Sequence, residues 1–196
     1  MRGPRRKHTT RQNPLAIPAP DLVGRNFCAT APDRLWTADV TYLPTDEGFL
    51  YLAFILDVYS RKVVGWSMAS HLRTELVAAA LEMAIRRRNP SAGLIHHSDR
   101  GAQYTALSFG KRLEQAGIVP SMSRVGSALD NAISESLVST LKSEIGVSRY
   151  PDRQTARASI FEFIESFYDR VRRHSSLGYL SPFEYEQATM EETAVA

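Results

Sequence analysis

The amino-acid sequence predicts an α/β fold in which helices flank a mixed five-stranded sheet. Residues 35–69 contain three segments rich in β-branched, aromatic and aliphatic residues, separated by short polar turns, a pattern typical of antiparallel strands. After residue 75, helical periodicity alternates with short apolar segments. A run of strands followed by such alternation indicates a mixed sheet with helices packed on its faces.

The first three strands are predicted at Leu35–Leu43, Phe49–Val58 and Lys62–Ala69. Two shorter apolar segments, Gly93–His97 and Ile118–Met122, complete the five. Short apolar runs of this kind fit buried strands better than helices, which need more residues.

Two helices are predicted between the later strands. Glu75–Arg88 carries an apolar face and is stopped by Asn89 and Pro90. The second, Leu107–Ala116, is followed by Gly117, which is suited to a C-terminal cap.

Two further helices, Asn131–Ile145 and Asp152–Arg173, are predicted to close the chain. Asp152 has the side chain of an N-cap, because its carboxylate can accept a backbone N–H of the first turn. Apolar residues at helical spacing predict a core stripe on the last helix. They are Ile160, Ile164, Phe167 and Val171.

The distribution of charge and proline divides the chain. We predict a basic, proline-containing arm or linker over residues 1–32, a core over residues 33–190 and a C-terminal tail over residues 191–196. Residues 1–12 contain five basic residues and no acid, which leaves 19 Lys and Arg against 21 Asp and Glu elsewhere. Such an arm either attracts phosphate groups without sequence preference or is a solvated linker.

Several protein classes are excluded by composition. Cys28 is the only cysteine, so the chain can form neither an internal disulfide nor a cysteine-rich zinc site, in keeping with a reducing cytoplasm. No apolar run approaches the roughly 18 residues of a membrane span. We therefore predict a cytoplasmic protein without a membrane partner.

Three acids stand out by their positions. Asp39 lies inside the first strand, where a carboxylate among apolar neighbours needs a partner. Asp99 follows the fourth strand, at the end where α/β proteins place ligands. Glu135 lies early in the third helix, on the side opposite the apolar stripe. Taken one at a time, they also fit a strand ion pair, a turn and a solvated helix face.

It is the order of several motifs that singles out the three acids. Together they resemble the integrase core of bacterial insertion-sequence transposases, which is similar to the retroviral integrases, and the resemblance runs from about Arg25 to Glu186. The motifs are Trp36-Thr37-Ala38-Asp39, Leu56-Asp57-Val58-Tyr59-Ser60-Arg61, His97-Ser98-Asp99-Arg100-Gly101, Asp130-Asn131-Ala132 with Glu135, Leu141-Lys142-Ser143-Glu144, and Arg173-His174-Ser175-Ser176-Leu177-Gly178-Tyr179-Leu180-Ser181-Pro182.

This resemblance implies an RNase H-like fold and a triad of the DDE type, with Asp39, Asp99 and Glu135 as catalytic residues and metal ligands. The implied ion is Mg²⁺, with Mn²⁺ as a possible substitute. Two divalent ions about 4 Å apart can activate the attacking oxygen and stabilise the leaving one, and Mg²⁺ prefers such carboxylate oxygens. Lys142, seven residues after Glu135, and Asn131 are candidate DNA contacts.

The implied activity is transposition: DNA cleavage that exposes a 3′-hydroxyl, and transfer of that strand into target DNA. Transposon ends and target DNA are the expected partners, bound by a homo-oligomer in the bacterial cytoplasm. End recognition is expected from a helix-turn-helix segment upstream of this chain. Two alternatives stay open: a nuclease of the same fold that cuts without joining, and a non-catalytic DNA-binding or assembly fragment.

Other charged residues have structural interpretations. Asp57 is interpreted as a structural or turn-pairing acid. His96 and His97 are adjacent on a strand, point to opposite faces and are not suited to chelate one metal ion. The cations near the end of the last helix either bind DNA or complement the helix dipole. They are Arg170, Arg172, Arg173 and His174.

Overall fold

A twisted five-stranded sheet in the order β3-β2-β1-β4-β5 forms the centre of the computed structural model, which describes residues 18–123 and 132–195. The first two pairings, β1 with β2 and β2 with β3, are antiparallel, while β4 pairs in parallel with β1 and β5. The strands are β1 (Leu35–Thr45), β2 (Gly48–Asp57), β3 (Val63–Ala69), β4 (Ile95–Ser98) and β5 (Val119–Met122). The predicted mixed sheet is confirmed.

Five α-helices belong to the described residues, and none is long and apolar enough to cross a membrane. Gly117, with φ of 67°, follows the second helix as expected for a residue in the left-handed region. The helices are α1 (Thr74–Arg88), α2 (Leu107–Gln115), α3 (Ala132–Ile145), α4 (Arg153–Glu162) and α5 (Pro182–Val195).

Alternation along the strands builds two cores, one on each face of the sheet. On β2, Ala53 and Ile55 face α1 and α2, whereas Leu52, Phe54 and Leu56 face α3 and α4. Both faces are therefore covered by helices, which explains why β2 is apolar at successive positions.

Gly65 lets α1 lie close to β3. A Cβ atom at this position would collide with the carbonyl oxygen of Ala80 and with Ala84. The absence of a side chain therefore sets how closely α1 packs on the sheet.

The predicted last helix is wrong beyond Glu162. Asp152 caps α4 as expected, because its carboxylate accepts the backbone N–H of Thr155. A π-helical turn then runs over Phe163–Tyr168, and the wider turn rotates the residues that follow it. As a result Tyr168 is buried, whereas Val171, assigned to the core stripe, is 60% exposed.

Two segments beside the predicted elements also pack on the sheet. Residues 18–32 lie beside β4 and β5: the backbone N–H of Leu22 donates to the Ser121 hydroxyl, and the Phe27 ring meets His97 edge-on. At the other end, α5 was not predicted as a helix, and it continues through residues 191–195. The predicted domain limits at residues 32 and 190 stay predictions.

Candidate active site

The parallel pairing of β1 with β4 brings Asp39 and Asp99 to the same level of the sheet. Trp36 pairs with His96 and Thr37 with His97, so the same register carries Asp39 to Asp99, the first residue after β4. Side chains alternate along a strand, so both acids lie on the face that α3 covers.

The loop after β4 holds Asp99 through its own backbone. The N–H of Gly101 donates to Asp99 Oδ1 at 2.9 Å, and Arg100 Nε donates to the carbonyl oxygen of Ser123 at the end of β5. A Cβ atom at Gly101 would lie 2.9 Å from Asp99 Oδ1 and 2.8 Å from Gln103 Oε1. The site therefore requires glycine here to leave the Asp99 carboxylate in place.

The third acid comes from α3. Leu137 and Leu141 of this helix are buried against β1 and β2, which turns Glu135 to the exposed side. The predicted orientation of the helix is confirmed by this burial.

The three acids act on one another electrostatically. The pKa of Asp39 is raised to about 6, first by burial and then by the negative charges of Asp99 and Glu135, although the N–H of Val40 donates to its Oδ1 at 2.7 Å and opposes the rise. Within the described residues no Lys or Arg forms a salt bridge with any of the three. The structure therefore gathers negative charge at this end of the sheet.

Tyr104 belongs to this site although the sequence suggested no role for it. It is buried between His96 and Phe109, and its pKa is raised by burial and by Asp39 and Asp99. Its phenol therefore stays neutral next to the acids. Tyr104 lies in the segment after Asp99, but sequence spacing does not show that this segment folds back toward β1.

The three carboxylates are chemically suited to bind a hard divalent cation. Mg²⁺ is bound by a few carboxylate oxygens together with waters and substrate phosphates, and three neighbouring carboxylates supply such oxygens. Across residues 18–123 and 132–195, no three His, Cys, Asp or Glu side chains stand close enough to hold one ion as they are placed here. The structure thus shows an excess of negative charge at this site and, among the residues it describes, does not show a complete set of metal ligands around one point.

The two candidate DNA contacts differ in what the structure describes. Lys142 is exposed, two turns after Glu135 and about 10 Å farther along α3. It borders a groove with a volume of about 390 Å³, whose walls include Tyr42 and Val147. Asn131 lies outside the described residues.

Residues interpreted as structural have internal partners. The carboxylate of Asp57 is buried and accepts the backbone N–H groups of Asp33 and Tyr59. His96 packs against Phe109, whereas His97 faces Ser121 on the other side of β4. The two histidines therefore point to opposite faces, as predicted.

The cations near the end of the last predicted helix are used in different ways. Arg172 donates to the Thr140 hydroxyl at 2.9 Å, and Arg170 lies over the Phe183 ring. Arg173 is exposed, and His174 packs edge-on against Tyr168. Two of the four are therefore engaged in packing the end of this segment on its neighbours.

Comparison with protein families identifies the family of the chain. A family model for the integrase core domain matches residues 29–128, and a second model of the same description matches residues 116–182. The chain belongs to the integrase core domain family. The two matched ranges contain all three acids of the candidate site.

Curated relatives of this integrase core are proteins of insertion sequences. It is 47% identical over 180 residues to an uncharacterised 31 kDa protein of IS600 from Shigella sonnei, covering 91% of this chain and 66% of that protein. It is 43% identical over 182 residues to the IS904 transposase of Lactococcus lactis, covering 92% and 72%. For the IS3 transposase InsF of Escherichia coli the values are 41% over 171 residues, 87% and 59%. The chain thus spans about two thirds of these relatives.

Solved structures show the same fold at low identity. A simian T-cell lymphotropic virus intasome in complex with a PP2A regulatory subunit has a TM-score of 0.67 at 13% identity, covering 90% of this chain and 61% of that one. The HTLV-2 integrase catalytic core, solved with magnesium, has a TM-score of 0.62 at 13% identity, covering 81% and 99%. The predicted RNase H-like fold is confirmed.

The comparisons also confirm the predicted class, the catalytic domain of a DNA transposase in a family of polynucleotidyl transferases. The geometry of the three carboxylates bears on the roles of the individual residues.

Proposed function

We propose that this integrase core cuts DNA at transposon ends and joins the exposed 3′-hydroxyl to target DNA, with Asp39, Asp99 and Glu135 as its catalytic metal ligands. One observation carries the proposal: Asp99 and Glu135 both add to the raised pKa of Asp39, although they are distant in sequence. Three acids that repel one another and have no internal cation are suited to bind one from solution.

Both steps are displacements at a phosphodiester. In cleavage, an oxygen of water forms a new bond to phosphorus, the bond to the 3′-oxygen breaks, and that oxygen takes up a proton. In joining, the 3′-hydroxyl loses its proton and its oxygen bonds to the phosphorus of a target phosphodiester. The target's bond from phosphorus to its 3′-oxygen breaks, so the exposed strand is joined to the 5′-phosphate side of the target and the departing 3′-oxygen takes up a proton. Divalent cations, when bound, stabilise the attacking and leaving oxygens of such a displacement.

The chain's own residues supply the geometry. Asp39 is held on the central strand and Asp99 by the N–H of Gly101, so two carboxylates are presented from neighbouring interior strands of one rigid sheet. Glu135 approaches from α3 and completes the set from the solvent side.

The DNA contacts and partners are proposals as well. Lys142 and Asn131 are assigned to phosphate groups of the bound DNA, transposon ends and target, since both are placed on the third helix or directly before it. We propose that a homo-oligomer assembles on this DNA in the bacterial cytoplasm, that Mg²⁺ is the natural ion with Mn²⁺ as a substitute, and that an upstream helix-turn-helix segment recognises the ends.

The triad is tested by Asp39→Asn, Asp99→Asn and Glu135→Gln, each assayed for Mg²⁺-dependent cleavage and for joining of a pre-cleaved end. We expect each change to lower both activities by about 100-fold or more, since the interaction removed acts on the transition state. Glu144→Gln is the matched control, because Glu144 is exposed on the same helix, nine residues after Glu135. A variant that keeps wild-type activity removes its residue from the triad.

The joining assay also separates the two alternative functions. Cleavage by the wild-type chain without any joining would identify a nuclease. DNA binding without cleavage or joining, for the chain with its upstream sequence restored, would identify a non-catalytic fragment.

The Lys142 assignment has its own measurement. Lys142→Ala is expected to weaken DNA binding at every sequence and to reduce the slope of log affinity against log salt by about 0.9, the effect of one lost phosphate contact. Unchanged affinity and slope would exclude the contact.

A further inference from the structure

A second pocket lies on the flank of α3, and Ser136, the residue after Glu135, is part of its lining. It has a volume of about 230 Å³, below the roughly 300 Å³ of pockets for drug-sized ligands and sufficient for one small anion. None of the described residues that line it is an acid. They are Arg61, Ala132, Ile133, Ser136, Tyr168, His174 and Ser176.

Arg61 brings a positive charge to this pocket without a salt-bridge partner among the described residues. Asp57 is near enough to act on it electrostatically, but that carboxylate already accepts two backbone N–H groups and faces Arg88 at 3.8 Å. Burial lowers the pKa of Arg61, although a guanidinium stays protonated in proteins. The charge is thus partly desolvated and not neutralised.

The backbone at Arg61 is held in an unfavourable conformation. Its φ of 64° lies in the left-handed region, which glycine or asparagine adopts far more readily than arginine. The turn between β2 and β3 imposes it, because the N–H of Arg61 donates to the carbonyl oxygen of Asp57. Residues with strained backbones are concentrated at functional sites, where the role of the side chain outweighs the conformational cost.

His174 offers a second donor. Arg172 Nη1 approaches His174 Nδ1 at 3.5 Å, and a guanidinium can only donate, so Nδ1 accepts and the proton of the neutral ring lies on Nε2. That Nε2 is buried and has no hydrogen-bond partner among the described residues. Burial, Arg172 and Arg61 lower the pKa of His174 to about 4, which shows that the ring lies in a positive electrostatic environment.

We infer that this pocket binds a phosphate group of the DNA backbone near the bond that is cut. Arg61 would take two phosphate oxygens in the fork geometry of guanidinium, with Ser136, Ser176 and the His174 ring as further donors. Ser136 directly follows Glu135, so a strand held in this pocket would lie beside Glu135. The inference rests on the proposed function, because that function supplies the DNA.

The first experiment tests the pocket with inorganic phosphate alone. Phosphate is titrated into the 196-residue chain without divalent cations, and the ring signals of the five histidines are followed by NMR. We expect a saturable shift of the His174 signal in the wild type and its loss in Arg61→Gly. A His174 signal that does not move overturns the inference.

The second experiment tests the DNA contact by measuring the affinity of a short duplex across salt concentrations, again without divalent cations. Arg61→Gly is expected to lower affinity about tenfold and the salt slope by about 0.9, and Arg61→Lys to lie between it and the wild type. Because glycine relieves the left-handed backbone, Arg61→Gly should melt no lower than the wild type. Arg86→Gln, at an exposed arginine of α1, is the control for loss of one charge.

The outcomes separate the possible sources of phosphate. If Arg61→Gly binds DNA with the affinity and salt slope of the wild type, the DNA contact is overturned. If the wild-type chain nevertheless responds to inorganic phosphate, the pocket is a site for free phosphate. Because binding is measured without divalent cations, failure here leaves the carboxylate proposal intact. Conversely, failure of the triad variants to lose activity leaves the phosphate result standing.

Discussion

Two acids of the sheet have raised pKa values, Asp39 within β1 and Asp57 at the last residue of β2, and their charges are compensated differently. Asp39 and Asp57 both have a pKa of about 6, in each case raised mainly by burial. The Asp57 carboxylate accepts two backbone N–H groups and lies 3.8 Å from Arg88. Asp39 accepts the N–H of Val40 and otherwise faces the charges of two more acids. The two raised pKa values thus accompany opposite local charge balances.

Asp57 belongs to an ion-pair network, formed by Asp33, Asp57, Lys62, Arg88 and Glu186. Glu186 of α5 is 4% exposed and accepts hydrogen bonds from Arg88, Lys62 and the Ser60 hydroxyl at 2.8–2.9 Å. Burial alone would raise the pKa of Glu186, but these donors lower it. The network therefore links α5 to the end of α1 and to the turn after β2 through ion pairs and hydrogen bonds.

This contrast indicates that the ion-pair network contributes to stability, whereas the carboxylate cluster does not. The ion-pair network neutralises itself within the chain, so breaking it exposes a buried charge. The carboxylate cluster of Asp39, Asp99 and Glu135 keeps an excess of negative charge that lowers stability until a cation arrives. The ion-pair network and the carboxylate cluster should therefore respond in opposite ways when a charge is removed.

The largest stability effect is expected in the network. Glu186→Gln should lower the free energy of unfolding by about 3 kcal/mol, because it leaves Arg88 and Lys62 with a neutral partner in a buried place. Chemical denaturation measures the loss. Glu191→Gln, at an exposed glutamate of the same helix, is the control and should change little. Equal stability of both variants would mean that α5 is not fastened by these charges.

The second largest effect on stability is expected from the titration of Asp39. The pKa of Asp39 in the folded chain, about 6, lies above the ordinary 3.8, so the folded chain binds more protons between these values and stability falls as pH rises through that window. Asp39→Asn removes this loss and should be more stable than the wild type by about 2 kcal/mol near neutral pH, with little difference near pH 4.

Denaturation curves at several pH values measure this gap, and Mg²⁺ should narrow it by stabilising the wild type. A variant less stable than the wild type at neutral pH would show that Asp39 has a structural partner. Asp57, with a similar pKa, contributes in the same direction in both proteins and cancels.

The smallest effect is expected at the loop that holds Asp99. Gly101→Ala places a methyl group 2.9 Å from Asp99 Oδ1, so the carboxylate must move, and joining should fall about tenfold from misplacement alone. Gly110→Ala in α2, where a Cβ meets nothing within 4 Å, is the matched control. Full activity in Gly101→Ala would show that the position of Asp99 tolerates such a shift.

Local patterns account for much of the fold. The strands from β1 to β3 follow alternation and turn composition, and their observed bounds lie within two residues of the predicted ones. The burial predicted for Val171 from helical spacing was wrong. That spacing assumes a constant number of residues per turn, and the π-helical turn before Val171 changes which side of the helix this residue occupies. The last helix, α5, was missed because its burial depends on pairs such as Glu186 with Arg88, far apart in sequence.

The candidate site divides in the same way. The chemical types and their order, three acids that each lie in a recognisable motif, can be read from the sequence alone. Which acids lie near one another depends on the tertiary structure. The parallel register of β1 and β4 brings Asp99 level with Asp39, whereas Asp57, at the end of the apolar strand β2, lies near Arg88 of α1. Charge compensation is a property of neighbours in space, which local sequence patterns do not encode.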